Sequence, residues 1–226
     1  LAEQESAVDT DSQIRQAFTN QLDRWDASDE LAKIVAAEDG DERWLHVQMG
    51  QEPEFNPETL KSDATFLKTS FRLKVAQPMW EAKPWMSAWE TSSSGTRSGS
   101  VTVHNPTDQP MFQTWILTPG TWTLPDPIWQ GRPRNRTVKT MRTVPLNQVT
   151  SAHGGLRVSL DQMKRMFTNL AGTNVAGDVA AGYWFLNEVP PYTPKTTLPL
   201  SVVAPTGGAR AELHQPRLWS RPWGLR

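Results

Sequence analysis

The chain has 226 residues and a formal net charge of -1, because 23 Lys and Arg residues stand against 24 Asp and Glu residues. Such a balance provides no net field that would attract nucleic acid or an anionic membrane. The chain contains no cysteine, which excludes disulfide bonds, thiolate metal ligands and a cysteine nucleophile. No apolar run approaches the roughly 18 residues of a membrane-spanning helix. From the charge balance we expect no nucleic acid binding, and from the short apolar runs we expect no membrane insertion.

The first part of the chain, residues 1–95, is predicted to form a small α+β region. Thr10 and Gln13 have the spacing of a capping box, and apolar residues follow at helical intervals, which predicts a helix over residues 12–25. An Asp-Gly pair at residues 39–40 lies between two segments of alternating polarity, and this pattern predicts a β-hairpin.

Three segments complete this region. Residues 66–75 alternate between apolar and polar side chains and predict a strand with one face in the core. Residues 77–89 hold three Trp and two Pro, a mixture that predicts an irregular, covered corner. Residues 92–100 are rich in Ser, Gly and Thr and predict a flexible link. We therefore expect the domain boundary between residues 95 and 96.

Residues 98–120, SGSVTVHNPTDQPMFQTWILTPG, predict two strands joined as a hairpin through a proline-bracketed loop. Val101 and Val103 alternate with polar residues in the first of these strands. Further strands are predicted at residues 137–144, 156–160, 183–189, 198–203 and 209–214, with a short helical turn over 162–169. About eight strands with little helix between them predict an antiparallel β-sandwich over residues 96–226.

No motif in the sequence predicts catalysis. Ser151 lies two residues from His153, but neighbours that close in sequence rarely face each other as a triad requires, and no G-x-S-x-G is present. The carboxylates of the second half are scattered, and the four His lack metal-ligand spacing. We predict no enzyme activity, no metal and no cofactor. A cell-wall hydrolase is the least favoured alternative.

Eleven Trp and 18 Pro are the unusual feature of the composition, and Trp suits sheet cores and interfaces alike. A basic segment, WQGRPRNR, contains Trp129, Arg132 and Arg134. Such a segment could contact a phosphate backbone, form a solvated loop tip or donate to an intersubunit ion pair. We favour the intersubunit ion pair because the chain as a whole is neutral. Exposed Trp on a sandwich would also stack on sugars, so a carbohydrate-binding module is the alternative function.

The C-terminal segment is the second candidate interface. Trp219 and Trp223 flank Ser220, Arg221 and Pro222. Such a segment either folds back over the sandwich or acts as an aromatic anchor that docks, with its Arg, on the same or a neighbouring subunit. Both interpretations are structural, and we expect Trp219, Arg221, Pro222 and Trp223 to form an interface or to clamp the domain.

Four segments together resemble a known family. They are VTVHNPTDQPMFQTWILTPG, LRVSLDQMKRM, YWFLNEVPP and QPRLWSRPWG, and in this order they look like the C-terminal half of minor tail proteins of siphophages that infect actinobacteria, the group similar to distal tail proteins. The resemblance covers roughly residues 10–226.

This resemblance implies a structural virion protein at the phage tail tip, assembled in the host cytoplasm. It implies a ring of copies, six-fold favoured and three-fold as the alternative, that joins the tail tube protein to the hub or other minor tail proteins of the baseplate. It also implies that the sandwich resembles a galectin or carbohydrate-binding fold, with host envelope glycans as possible ligands, and it transfers no catalytic residue. Such proteins begin with a β-rich ring-forming domain, so either that domain extends upstream of Leu1 or it is reduced here.

Overall fold

The computed structural model describes residues 7–16, 31–38, 40–51 and 70–224. The chain divides into two compact units, Leu1–Trp80 and Glu81–Arg226. The protein is mainly β, with two antiparallel sheets that pack as a sandwich and a few short helices, which confirms the predicted fold class. The chain divides after Trp80, whereas the sequence predicted a division after residue 95.

The first unit contains helix α1 (Ala7–Gln16) and strands β1 (Ala32–Glu38), β2 (Asp41–Gln51) and β3 (Arg72–Lys74). The predicted capping box is wrong, because Thr10 lies inside α1 rather than before it; residues 17–25 of the predicted helix lie outside the described residues. Strands β1 and β2 pair antiparallel around Gly40, which has a φ of 79°, so the predicted hairpin is confirmed.

Strand β3 pairs antiparallel with β2 and is shorter than the predicted strand at 66–75, whose first four residues lie outside the described part of the chain. Phe71, Leu73 and Val75 are half-buried, whereas the residues between them are exposed. The alternation that the sequence showed is therefore present at this end of the segment.

The second unit is the sandwich. Its strands are β4 (Trp80–Thr91), β5 (Gly95–Asn105), β6 (Thr114–Leu117), β7 (Thr121–Gln130), β8 (Thr137–Pro145), β9 (Leu156–Ser159), β10 (Phe167–Asn169), β11 (Thr193–Ala204) and β12 (Ala209–Trp219). One sheet has the order β4-β12-β6-β9-β10 and the other β5-β11-β7-β8. A short helix, α2 (Ala176–Val179), and a 3-10 turn (Ser151–His153) lie in the connections.

Two predictions about the region before residue 100 are wrong. The Trp- and Pro-containing segment 77–89 is not an irregular corner, because most of it is strand β4, which accommodates Pro84. The Ser- and Gly-rich segment 92–100 is not a flexible link, because its residues from Gly95 onward belong to β5 and pair with β11. A proline has no backbone N–H to donate to a ladder, and β4 tolerates the loss of that hydrogen bond at Pro84.

The two strands predicted within residues 98–120 do not form a hairpin, because β5 and β6 belong to different sheets. The loop between them crosses the sandwich and is organised by Asn105, which is fully buried. The Asn105 side-chain Nδ2 donates to the carbonyls of Gln109 and Val189 at 2.9 and 3.0 Å, and its side-chain Oδ1 accepts from the amide and the hydroxyl of Thr107. A buried polar side chain therefore replaces the ladder where the chain changes sheets.

The core fills the space between the two sheets. Trp115 on β6 and Trp122 on β7 are both 0% exposed, and the Trp122 Nε1 donates to the Thr118 carbonyl at 2.9 Å. Around them lie the inward side chains of both sheets: Val101, Val103, Leu117, Leu124, Val144, Leu156, Val158, Phe167, Leu198, Leu200, Val202, Ala211 and Leu213. Each fully buried aliphatic side chain contributes roughly 1.5–3 kcal/mol.

Gln215 joins the two sheets through hydrogen bonds. It lies on β12 and is 0% exposed, and its Oε1 accepts from the His104 amide at 2.8 Å while its Nε2 donates to the Thr102 carbonyl at 3.0 Å. Both backbone groups belong to β5 in the other sheet. One side-chain amide thus satisfies a donor and an acceptor of a strand with which β12 forms no ladder.

Two more predictions in the second half differ from the structure. The segment predicted as a helical turn, 162–169, contains a turn followed by β10. The segment predicted as a strand, 183–189, forms no strand; Val189 alone makes an isolated bridge with Met111. Strand β12 runs to Trp219, five residues beyond the predicted end at His214, and contains Pro216.

Candidate interaction site

The strongest candidate for an interaction site is an irregular segment after α2, residues 181–188 (AGYWFLNE), which we name the aromatic loop. Tyr183, Trp184 and Leu186 are 49%, 48% and 74% exposed, whereas Phe185 between them is 4% exposed and lies in the core. Three large apolar side chains are thus exposed within four consecutive residues, whereas exposed apolar residues on a protein surface are usually scattered singly.

The aromatic loop is fixed by a buried carboxylate. The Asp126 side chain on β7 is fully buried, and it accepts hydrogen bonds from the amides of Leu186 at 3.0 Å and Asn187 at 3.1 Å. Arg142 on β8 pairs with the same carboxylate, and its Nη2 donates to the Trp184 carbonyl at 2.7 Å. Asn187 Nδ2 also donates to the Asp126 carbonyl at 3.2 Å. Charge-assisted hydrogen bonds of this kind are the stronger ones in proteins.

Local sequence explains the position of Asp126. Residues Trp122, Leu124 and Asp126 alternate on the inward face of β7, so the aspartate points to the same side as two core residues. The Asp126 Cα lies opposite that of Arg142 in the β7–β8 register, so the guanidinium reaches the carboxylate. A buried carboxylate is stable only with such partners.

Aromatic packing supports the other side of the loop. The Trp184 ring lies 5.6 Å from the Phe167 ring of β10, and the Phe185 ring lies 6.4 Å from the same ring. At the start of the loop Ala181 has a φ of 46° and the Tyr183 amide donates to the Ala180 carbonyl at 2.7 Å. A positive φ at a non-glycine residue is unfavourable and persists where surrounding contacts impose it.

The basic segment predicted as an interface folds onto the chain's own Pro190–Tyr192 turn. The Arg134 amide donates to the Tyr192 carbonyl at 2.8 Å, and its guanidinium carbon lies 5.7 Å from the centre of the Tyr192 ring. Arg136 Nε donates to the Pro191 carbonyl at 3.2 Å. Arg132 is exposed at the tip, and Trp129 packs half-buried against the core. The role of this basic segment in an intersubunit contact stays a prediction.

The C-terminal segment is attached to the loop between β5 and β6. The Ser220 amide donates to Asp108 Oδ1 at 3.0 Å, and the Ser220 hydroxyl donates to the same carboxylate. Trp219 is 6% exposed, whereas Trp223 is 61% exposed. Arg221 is exposed and Pro222 is half-buried. The structure thus separates the two tryptophans that the sequence grouped, because Trp219 is buried and Trp223 lies on the surface.

Ser151 and His153 both lie in the 3-10 turn between β8 and β9. His153 pairs with Thr150 and lies 3.7 Å from Asp178, whereas no hydrogen bond joins it to Ser151. Within the described ranges no three His, Asp or Glu side chains gather as metal ligands, and no helix is both long and apolar enough to cross a bilayer. The aromatic loop, by contrast, presents exposed apolar side chains on a backbone that Asp126 and Arg142 hold.

Sequence reasoning missed the aromatic loop and Asp126. The signal for Asp126 was an acid at an inward position of a strand, between Pro125 and Pro127 in the segment WTLPDPIW. Comparison with protein-family models and with curated proteins finds no match to this chain.

Proposed function

We propose that this protein is a structural component of a siphophage tail tip, an adaptor similar to the distal tail proteins of phages that infect actinobacteria. The four motifs that carry this resemblance and the sandwich architecture support the proposal. Its work is assembly: it holds other polypeptides against apolar surface and performs no chemistry.

The observation that carries the proposal is the aromatic loop. Tyr183, Trp184 and Leu186 are exposed, and the backbone that carries them is held by the buried Asp126 carboxylate and by Arg142. Interfaces concentrate their binding free energy in a few such anchors, and a fixed segment loses less entropy on binding than a flexible one. A loop whose fixed conformation keeps apolar side chains in water is explained by a partner that covers them.

The proposed partners are further copies of this chain in a ring, with six copies favoured over three, and the tail tube and hub proteins on either side. Arg132, Arg221 and Trp223 are exposed and belong to the proposed contacts, whereas Trp129 and Trp219 support them from inside. The protein would be assembled in the host cytoplasm and reside at the virion tail tip. The alternative function is that of a carbohydrate-binding module that contacts the host cell envelope.

The test is mass photometry of the full-length chain over a range of concentrations, alone and with purified tail tubes. We expect closed rings, and we expect the double substitution Trp184→Ser with Leu186→Ser to raise the concentration needed for assembly about 30-fold or more, as for a central hot spot. Val203→Ser is the matched control, because Val203 is 52% exposed on β11 and lies outside the loop.

A chain that stays monomeric at every concentration and does not bind tail tubes would contradict the proposal. Unchanged assembly of the double variant would also contradict it, because the loop would then not be the contact.

A further inference from the structure

The four-stranded sheet of the sandwich opens between two of its strands. Strands β7 and β11 pair only where Thr121–Thr123 lies opposite Ser201–Val203. Beyond this short ladder, β7 continues as the partner of β8, and β11 continues as the partner of β5. The sheet therefore divides into two pairs of strands, β5 with β11 and β7 with β8.

Two prolines lie along this opening. Pro125 and Pro127 alternate on β7 with Leu124 and Asp126, which point into the core, so the prolines point outward. Both prolines are nevertheless buried. Because an outward side chain that is buried marks a depression in the surface, we name this region the proline trough.

Exposed, uncharged side chains border the proline trough on both sides. On β8, the rim residues lie opposite the two prolines in the ladder. On β11, they alternate with the buried core residues Leu198 and Leu200. The four rim residues are Met141, Thr143, Thr197 and Pro199. These side chains offer apolar contact and two hydroxyls that donate and accept hydrogen bonds.

The outward face of the other sheet is charged. Arg210 on β12 pairs with Glu212 at 2.9 Å and with Glu90 of β4 at 2.7 Å, and His214 lies 3.0 Å from Glu212. A partner that covered this network would have to remove water from its charges, which is unfavourable. Of these two outward faces, the proline trough is therefore the one that suits an apolar partner.

The aromatic loop has side chains that fit the proline trough. Tyr183, Trp184 and Leu186 are exposed and uncharged. A Tyr or Trp ring places its apolar face on prolines and methyl groups while its O–H or N–H donates to a hydroxyl such as those of the trough rim. The loop of the same chain cannot enter, because Asp126 holds it from the inward side of β7. The loop that fits is that of another copy.

The charges at the end of the proline trough also match the aromatic loop. Glu188 is the only charged residue of the loop. Lys195 is exposed two residues before Thr197, and Lys139 is exposed two residues before Met141. Strands β8 and β11 both run antiparallel to β7, so the two lysines lie at the same end of the trough. Opposite charges thus lie beside an uncharged centre in the two surfaces, which favours their association.

We infer that the aromatic loop of one copy docks in the proline trough of the next copy. A closed ring of three or six copies needs such a contact between two different surfaces, since a contact between identical surfaces ends at a dimer. The inference rests on the proposed function and names the surface that receives the loop.

The first experiment places negative charge in the proline trough of the full-length chain. Thr143→Glu with Thr197→Glu puts a carboxylate on each rim, against the apolar loop and Glu188 of the next copy. In mass photometry, ring formation should then need a concentration about tenfold or more above that of the natural chain. Ser98→Glu with Val203→Glu is the matched control. Both residues are exposed on the outward face of the same sheet, and they lie outside the trough, in the part where β11 pairs on both sides.

A mixing experiment tests whether the contact joins two different surfaces. Tyr183→Ser with Leu186→Ser removes loop side chains and leaves the trough intact, whereas the trough variant keeps its loop. Each variant alone should stay monomeric at a concentration at which the natural chain forms rings. An equal mixture should form dimers and no ring, because each pair contains one intact loop and one intact trough. Sedimentation velocity resolves the monomer, the dimer and the ring.

Four results would overturn the inference while the proposed function stands. They are rings of the trough variant at the natural concentration, an equal loss of assembly in the control, dimers of the trough variant alone, and a mixture that stays monomeric. A natural chain that forms no ring would overturn both proposals. Melting curves check the fold of each variant. If the double trough variant does not fold, Pro199→Glu alone places one charge at an exposed position of the trough.

Discussion

Asp126 and Arg142 lie opposite each other on β7 and β8, and their ion pair fixes a loop that belongs to neither strand. The carboxylate is fully buried, while the guanidinium side chain is 27% exposed. The pair therefore connects the edge of the sandwich core to the aromatic loop.

Replacing Asp126 by Asn should lower the free energy of unfolding by about 2–4 kcal/mol. The amide cannot neutralise Arg142, and its NH2 group would face either Arg142 and the Leu186 amide or, in the flipped orientation, the Asn187 amide, all of which are donors. Urea unfolding of the full-length chain measures the loss. Glu90→Gln removes a carboxylate from an exposed arginine pair and should change stability by less than about 1 kcal/mol. Equal losses in the two variants would show that burial of the pair has no effect.

Gly99→Ala should destabilise the sandwich by about 1–3 kcal/mol. A Cβ at Gly99 would lie 2.0 Å from the Trp89 Nε1, and Trp89 is itself held edge-on against Trp122, with ring centres 6.2 Å apart. In a Trp89→Leu background, Gly99→Ala should lower the free energy of unfolding much less. A double-mutant cycle by urea unfolding measures this difference. Gly177→Ala is the control, because a Cβ there meets no atom within 4 Å. A cost at Gly99 that is independent of residue 89 would disprove the proposed clash.

Asp108→Ala should release the C-terminal segment without unfolding the sandwich. The variant removes the acceptor for the Ser220 amide and hydroxyl, both at an exposed site, so global stability should change by less than about 1 kcal/mol. Hydrogen exchange at the Ser220 amide should accelerate about tenfold or more, whereas exchange at core amides such as Leu213 should not change. Continued protection of Ser220 would mean that other contacts hold the segment.

Acidification below pH 6.5 should lower the stability of the sandwich through His104. Burial, with Arg217 and Lys195 as further causes, lowers the pKa of His104 from its ordinary value of 6.5. As the pH falls through 6.5, the unfolded chain therefore binds a proton at this residue before the folded chain does, and the free energy of unfolding decreases until the folded pKa is passed.

The measurement is urea unfolding at pH 7.5, 6.5 and 5.5, values on either side of the ordinary histidine pKa. His104→Phe keeps an aromatic ring for the edge-on contact with Trp85, whose ring centre lies 5.9 Å away, but it cannot titrate. Its stability should depend less on pH than that of the natural chain. Identical slopes for the two proteins would exclude His104 as a cause.

The sequence predicted the sandwich because its strands alternate in polarity, and burial follows that alternation closely in β5 and β12. It did not predict how far strands run through proline. Pro125 and Pro127 lie in the part of β7 that pairs with β8, beyond Thr121–Thr123, where β7 pairs with β11. A proline, which has no backbone N–H, is tolerated where a strand pairs with a neighbouring strand on one side only. Local sequence patterns do not show where a strand pairs on one side only.

The candidate site was harder to predict, since it depends on contacts between distant residues. The apolar content of residues 183–189 favoured a strand, but in the structure the backbone amides of Leu186 and Asn187 bond to Asp126, 60 and 61 residues away in sequence. The segment thus satisfies its amides without a ladder partner. Trp223 is exposed, whereas Trp219 is part of the sandwich, and the anchor role that the sequence suggested for the C-terminal segment stays a prediction.

The aromatic loop is held through the backbone groups of Trp184, Leu186 and Asn187 and through the Trp184 ring against Phe167, so the identity of the outward side chains at positions 183 and 186 does not determine its path. Evolution or an engineer can therefore vary these two positions while the fold stays intact. The same sandwich can in this way acquire a new docking specificity through a few substitutions, as long as the aspartate and arginine beneath the loop are retained.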